Sequence, residues 1–149
     1  METQTLTPIA GPQETRGSYQ DAVQTRNRVA TVLVVEDDFD QLLAYTAAFR
    51  AKGWAVVSAE DGLQAVHEAV RERPDAIVLD IGLPCGDGHS VIQRLARNVR
   101  TVAIPIVVVT GRDPLAEQSR AILGGAAAYV QKPVDPDVLV SIVSKVMSV

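Results

Sequence analysis

Apolar, strand-like runs alternate with helix-like segments along most of this chain, and this alternation constrains the fold more than any other feature. Five runs rich in apolar and β-branched residues are typical of strands: Val32–Val35, Ala55–Ser58, Ala76–Leu79, Ile104–Val109 and Ala127–Val130. Segments with helical spacing separate these runs and follow the last one. The pattern predicts an α/β fold, a doubly wound five-stranded parallel sheet with five helices on its two faces.

The predicted helices begin and end at residues that favour those positions. They cover about 39–52, 62–72, 88–98, 114–125 and 136–149. Gly53 and Pro74 follow the first two, and glycine and proline commonly lie just beyond a helix end. Pro114 and Pro136 begin the last two, because proline is tolerated in the first turn.

The first 28 residues differ in composition from the rest of the chain. They are rich in Thr, Gln, Gly, Pro and Arg and contain few large apolar residues. Such a segment buries too little surface to offset the entropy lost on ordering. We therefore predict a flexible tail over 1–28 and one domain over 29–149.

Composition and charge disfavour several classes of protein. The chain contains no run of about 18 apolar residues that could span a membrane, and it shows no signal peptide. We therefore expect a cytoplasmic protein without a membrane partner. The lone Cys85 agrees with a reducing compartment, and we read it as an inert thiol. The net charge of -4 argues against direct nucleic-acid binding.

Polar residues follow four of the five predicted strands. They are Glu36, Asp37 and Asp38 after the first, Asp80 after the third, Thr110 after the fourth, and Lys132 with Pro133 after the fifth. Because the carboxyl ends of parallel strands meet at one edge of a sheet, we expect these side chains to gather there. Carboxylates suit Mg²⁺, while a lysine and a hydroxyl suit a phosphoryl group. An aspartate between them could act as a nucleophile and become an aspartyl phosphate.

Four motifs give the chain a specific resemblance. "LVVEDD", "IVLDIGLPCGDG", "VVVTG" and "YVQKP" occur in this order, and over residues 29–149 the chain resembles the receiver domain of two-component response regulators. The resemblance implies strand order 2-1-3-4-5. It also implies that Asp80 accepts a phosphoryl group from a phosphohistidine on a histidine kinase or phosphotransfer protein.

The resemblance also implies a set of metal ligands. Glu36, Asp37 and Asp80 would hold Mg²⁺ together with the backbone carbonyl of Gly82. Asp37 would approach the ion more closely, and Glu36 would act through water. We expect Asp38 to cap the first helix instead, because aspartate is a preferred N-cap.

The remaining roles concern the response to phosphorylation. Lys132 would pair with Asp80 at rest and with the phosphoryl group afterwards, and Pro133 would follow a cis peptide bond. Thr110 would move inward to bond a phosphoryl oxygen, which would let the ring of Tyr129 turn inward. These changes would switch the surface of the fourth predicted helix, fifth strand and fifth predicted helix for binding an unknown downstream protein.

Three functions are compatible with the sequence. The first is a stand-alone response regulator that is not an enzyme beyond limited self-phosphorylation and autodephosphorylation. The second is the receiver module of a larger transcription factor or hybrid histidine kinase. The third, a Mg²⁺-dependent phosphatase, is disfavoured because Gly82 stands where such enzymes carry a second acid.

Two further features lie outside the motifs. His67 and His89 lack the paired spacing of metal ligands, and we expect both on the surface. The last helix carries an apolar arc of about 200°, wider than a surface helix needs. Close burial against the sheet and tail would explain the arc, and so would a partner surface or a homodimer linked to phosphorylation.

Overall fold

The computed structural model describes residues 28–83, 88–111, 120–122 and 124–147. The strands are β1 (Thr31–Val35), β2 (Ala55–Ala59), β3 (Ala76–Asp80), β4 (Ile106–Thr110) and β5 (Ala128–Gln131). The helices with described bounds are α1 (Phe39–Ala51), α2 (Gly62–Glu72), α3 (Gly88–Arg97) and α4 (Pro136–Met147). No helix in these ranges is long and apolar enough to cross a bilayer.

Some sequence predictions fall outside the described residues. They concern Cys85, the tail apart from Arg28, and most of the fourth predicted helix. Residues 120–122, at the end of that predicted helix, are helical. The label α4 therefore belongs to the last helix of the chain.

The sheet has the predicted order, β2-β1-β3-β4-β5, and every neighbouring pair is parallel. The chain moves outward from β1 to β2, returns to β3 beside β1, and then continues outward through β4 to β5. The direction of winding therefore reverses between β1 and β3. The crevice at the carboxyl ends of these two strands is the expected binding place in such sheets.

The three central strands are buried on both faces, as their continuous apolar runs predict. One core cluster packs the first face of the sheet against α2 and α3, with Leu33, Ile77, Leu79 and Ile92 among its members. The second packs the other face against α1 and α4, with Val34, Phe49, Leu139 and Val143 among its members. Phe49 also stacks on Trp54, with ring centroids 5.8 Å apart.

Aspartate side chains begin the first two helices. Asp38 Oδ1 accepts a hydrogen bond from the backbone N–H of Gln41 at 3.1 Å, which confirms its predicted capping role. Asp61 caps α2 through the N–H of Gln64 at 2.8 Å. Both caps satisfy backbone donors that have no partner within the helix. They fix the helix starts at the carboxyl edge of the sheet.

The fourth strand begins later than the sequence predicts, at Ile106 rather than Ile104. The hydroxyl of Thr101 donates to the carbonyl of Leu95 at 2.7 Å, and the N–H of Ile104 donates to the carbonyl of Thr101 at 3.0 Å. These bonds hold 101–104 in a turn after α3. The strand can begin only beyond this turn.

The prediction for His89 is wrong, whereas His67 is exposed as expected. His89 is only 4% exposed, because it shares the buried face of α3 with Ile92 one turn later. It is not one of the described residues that cluster as metal ligands.

Most of the apolar arc of α4 packs against the interior of the protein. Leu139 and Val143 are fully buried, and partly buried residues pack beside them against the second core cluster: Val140, Ile142, Val146 and Met147. Val138 remains 52% exposed. Burial against the sheet and α1 therefore accounts for much of the arc within the described part of this helix.

Candidate functional site

The carboxyl edge of the sheet brings the predicted polar residues together. Glu36 follows β1, Asp80 ends β3, and Thr110 ends β4. Their residues are 3%, 8% and 1% exposed, respectively. Since Val35 pairs with Leu79, Glu36 and Asp80 are adjacent at the ends of neighbouring strands. Polar groups this deeply buried require partners, because burial without them is costly.

Three carboxylates form a compact cluster at this edge. Glu36, Asp37 and Asp80 each offer an oxygen, and these oxygens lie within 4.8 Å of one another. Asp37 is the exposed member of the group. Such a hard, oxygen-rich set open to solvent on one side fits Mg²⁺, which usually retains several waters.

Lys132 provides the positive charge that this cluster requires. Its Nζ lies 3.2 Å from both carboxylate oxygens of Glu36 and 3.3 Å from Oδ2 of Asp80. The side chain of Lys132 is only 17% exposed, so the contacts are poorly screened. Burial by itself lowers the pKa of Lys132, but the charges of Asp80 and Glu36 outweigh burial and raise it. The amine is therefore held as an ammonium ion.

The pairing of Lys132 with Glu36 was not predicted from the sequence. The motif suggested only Asp80 as its partner. Burial raises the pKa of Glu36 to about 7, the negative charge of Asp80 adds to this effect, and Lys132 opposes it. One ammonium therefore does not fully compensate the two buried carboxylates. A further cation at this site would favour the charged form of Glu36.

Backbone contacts fix the position of Asp80. Its Oδ1 accepts a hydrogen bond from the N–H of Gly82 at 2.9 Å, while Oδ2 faces Lys132. The N–H of Lys132 in turn donates to the carbonyl of Thr110 at 2.8 Å, which continues the pairing of β4 with β5. The peptide bond between Lys132 and Pro133 is cis. Asp80 and Lys132 are thus both anchored through backbone groups.

Tyr129 lies on the same face of the sheet as Thr110. Its partner in the β4–β5 register is Val108, two residues before Thr110, and side chains two residues apart in a strand point to one face. Tyr129 is half-buried and packs against the first core cluster. The geometry therefore makes the two side chains neighbours along one face.

A buried tyrosine beside the site was not identified from the sequence. Tyr45 of α1 is 4% exposed and, with Lys132 and Pro133, lines a cleft of about 500 Å³ between α1 and the segment that follows β5. Burial raises the pKa of Tyr45, while the charge of Lys132 acts in the opposite direction. Tyr45 lies on the buried face of α1 together with Phe49, but no sequence signal indicated that this face borders the acidic cluster.

The family model of the response regulator receiver domain matches residues 32–144 of this chain. This match covers β2 to β5, β1 from its second residue, and most of α4. The chain therefore belongs to the response regulator receiver family of two-component signal transduction.

Relatives differ in how much of their length this chain covers. Protein PilH of Pseudomonas aeruginosa is 31% identical over 120 residues, which represent 80% of this chain and 99% of PilH. The transcriptional regulatory protein PrrA of Mycobacterium tuberculosis is 39% identical over 102 residues, 68% of this chain but only 43% of PrrA. The chain thus matches PilH over almost the whole length of that protein, but spans less than half the length of PrrA.

Solved structures show the same fold. A putative response regulator from Chloroflexus aurantiacus has a TM-score of 0.77 and 27% identity, covering 82% of this chain and all of that one. The receiver domain of the sensor histidine kinase PA1611 from Pseudomonas aeruginosa has a TM-score of 0.75, 28% identity and the same coverage. In that structure a magnesium ion is coordinated in the active site cleft.

Proposed function

We propose that this protein is a phosphorylation-controlled switch in which Asp80 accepts a phosphoryl group from a phosphohistidine on a histidine kinase or phosphotransfer protein. The observation that carries the proposal is the arrangement around Asp80. Two further carboxylates and the ammonium of Lys132 surround it at the carboxyl edge of the sheet. An isolated acid at a strand end would lack this environment.

The transfer needs a nucleophile and charge compensation. A carboxylate oxygen of Asp80 forms the new O–P bond while the N–P bond of the donor breaks, and the electron pair of that bond stays with the imidazole nitrogen. Glu36, Asp37, Asp80 and the backbone carbonyl of Gly82 would hold Mg²⁺, which would neutralise charge on the phosphoryl oxygens. Lys132 would bind the same oxygens through its ammonium group.

The phosphorylated site then changes its neighbours. A phosphoryl group adds about -1.5 to -2 charge and three acceptor oxygens, which attract the hydroxyl of Thr110 and the ammonium of Lys132. Movement of Thr110 along the face shared with Tyr129 lets that ring turn inward. The proposed output surface consists of the fourth predicted helix, β5 and α4, and it binds a downstream protein.

A stand-alone regulator is the architecture we favour, with the receiver domain over 29–149 and a tail over 1–28. Similarity to PilH over 99% of its length supports this choice. The alternative is a receiver module of a larger transcription factor or hybrid histidine kinase, and the 43% coverage of PrrA favours that reading. A homodimer through α4 has weaker support, because its apolar residues largely pack inward.

Phosphorylation by a small donor tests the acceptor directly. With acetyl phosphate and Mg²⁺, intact-mass spectrometry should detect one added phosphoryl group on the wild type and none on Asp80→Asn. The matched control is Asp61→Asn, since asparagine also caps helices and Asp61 lies outside the carboxylate cluster. Equal labelling of Asp80→Asn would refute the assignment.

A further inference from the structure

Positive and negative side chains lie at opposite edges of the sheet. Among the described residues, the acids lie at the carboxyl edge except Glu68, Glu72 and Asp75. The described Arg and Lys residues lie at the amino edge except Lys132. The helices run back to the amino edge, where cations complement the helix dipoles. The net charge of -4 therefore conceals two strongly charged edges.

The acids of the amino edge are already paired. Asp75 binds Arg28 at 3.5 Å, while Glu68 and Glu72 bind Arg71 at 2.8 and 3.0 Å. Seven other cations form no ion pair with any described residue, and we call them the basic edge: Arg50, Lys52, Arg73, Arg94, Arg97, Arg100 and Lys145. Their charge is available to an anionic partner.

A cavity of about 520 Å³ opens in the basic edge between α2 and the end of α3. Val66, Arg94, Arg97, Asn98 and Val99 line it. Arg94 and Arg97 are three residues apart, so both lie on one side of α3. The oxygen of the Asn98 side chain accepts from a backbone N–H at 2.9 Å, which leaves its amide N–H groups as donors. The polar lining thus offers donors and positive charge, which suit a phosphate.

Exposed aliphatic side chains accompany these cations. Val99 is 89% exposed, Val102 58%, Val29 56% and Ile122 52%, and all four lie at the amino edge. Aliphatic residues among arginines are typical of surfaces that lie on an anionic bilayer. Surfaces that bind single-stranded nucleic acid usually add aromatic residues for stacking, whereas these exposed residues are aliphatic.

We propose that the basic edge docks on a bilayer of anionic phospholipids, with a headgroup phosphate in the cavity beside Arg94 and Arg97. The aliphatic side chains would contact the interface, and the acidic edge with Asp80 would face away from it. This inference is independent of the phosphorylation proposal. The sequence-based expectation of no membrane partner rested on the lack of a long apolar run, which concerns spanning rather than surface binding.

Vesicle co-sedimentation tests the proposal with the full chain. At low salt the wild type should bind phosphatidylcholine vesicles that contain phosphatidylglycerol but not pure phosphatidylcholine vesicles. Arg94→Gln combined with Arg97→Gln should weaken partitioning by about tenfold or more. The matched control, Arg28→Gln with Arg71→Gln, removes the same net charge from paired arginines and should change partitioning by less than about threefold.

Further experiments distinguish a bilayer from other anionic partners. Val99→Asn should weaken vesicle binding, whereas Leu63→Asn, at a site on the other edge that is 70% exposed, should not. The proposal is overturned if the wild type does not bind anionic vesicles, or if the two double arginine variants bind equally weakly. It is also overturned if a single-stranded oligonucleotide binds more tightly than the anionic vesicles at the same salt. Circular dichroism melting confirms that each variant is folded.

Discussion

The ammonium group of Lys132 lies 3.2 Å from each carboxylate oxygen of Glu36, so the first and last strands of the sequence meet through a buried ion pair. The same ammonium lies 3.3 Å from Asp80. Lys132 therefore compensates two acids at once. This shared contact links the stability of the site to its charge state.

Removal of Lys132 should destabilise the fold in the absence of divalent metal. Lys132→Met leaves Glu36 and Asp80 buried without their cation, and we expect a loss of about 2 to 3 kcal/mol in the free energy of unfolding at pH 8. The loss should be smaller at pH 6, where Glu36 binds a proton. Urea denaturation measures both values. The control is Lys145→Met, because Lys145 is an exposed lysine in the last turn of α4, and this substitution should cost no more than about 0.5 kcal/mol. Equal losses of stability in Lys132→Met and Lys145→Met would contradict the role of Lys132.

The stability of the metal-free protein should fall as the pH rises through neutrality. The pKa of Glu36 is raised from 4.5 to about 7 in the folded protein, so between these values the folded state binds a proton that the unfolded state releases. The contribution of Glu36 is therefore present at low pH and lost as the pH approaches and passes 7. Between pH 5 and pH 8 the free energy of unfolding of the wild type should fall by about 1 to 3 kcal/mol through Glu36, and Glu36→Gln should lack this fall. An unchanged pH profile in Glu36→Gln would count against this assignment.

Magnesium should stabilise the folded protein. Binding to the native state alone contributes about 1.4 kcal/mol when the free metal is about ten times the Kd. Thermal melting at pH 8 should show this gain in the wild type, a smaller gain in Asp37→Asn, and the full gain in Asp38→Asn. The last variant is the matched control, because Asp38 lies one residue from the cluster and asparagine preserves the cap. An identical response of both variants would show that Asp37 does not hold the metal.

A methyl group at Gly88 should disturb the segment that leaves Asp80. A Cβ built at this position lies 2.5 Å from the Cα of Ile81, and the N–H of Gly88 donates to the carbonyl of Ile81 at 3.2 Å. We expect Gly88→Ala to cost about 2 kcal/mol or more, since backbone atoms must move. In Gly111→Ala the nearest atom is the Cβ of Lys132 at 4.0 Å, so its stability should be nearly unchanged. Chemical denaturation measures the free energy of unfolding of both variants, and equal values would show that Gly88 is not required for packing against Ile81.

The sequence predicts the fold and the gathering of polar side chains at one edge of the sheet, because both depend on backbone periodicity. Continuous apolar runs mark the buried strands, and polar residues after them must meet at one edge of a parallel sheet. The start of β4 was misplaced because the hydroxyl of Thr101 forms a turn that hydropathy does not encode.

Side-chain partners within the site are less predictable. The contact of Lys132 with Glu36 depends on how far two nonadjacent strands bring their ends together and on which rotamers fit there. The burial of His89 likewise follows from the packing of α3 against the sheet, although a histidine is usually placed at the surface. The position of Tyr45 beside Lys132 required the docking of α1. These features are set by tertiary packing.

The most direct test of the central claim is the location of the phosphoryl group itself. After reaction with acetyl phosphate and Mg²⁺, borohydride reduction converts an acyl phosphate on aspartate to homoserine, and peptide mass spectrometry locates that residue. We expect homoserine at position 80 alone. Homoserine at position 37 or 38, or a phosphoryl group retained on a hydroxyl such as that of Thr110, would contradict it.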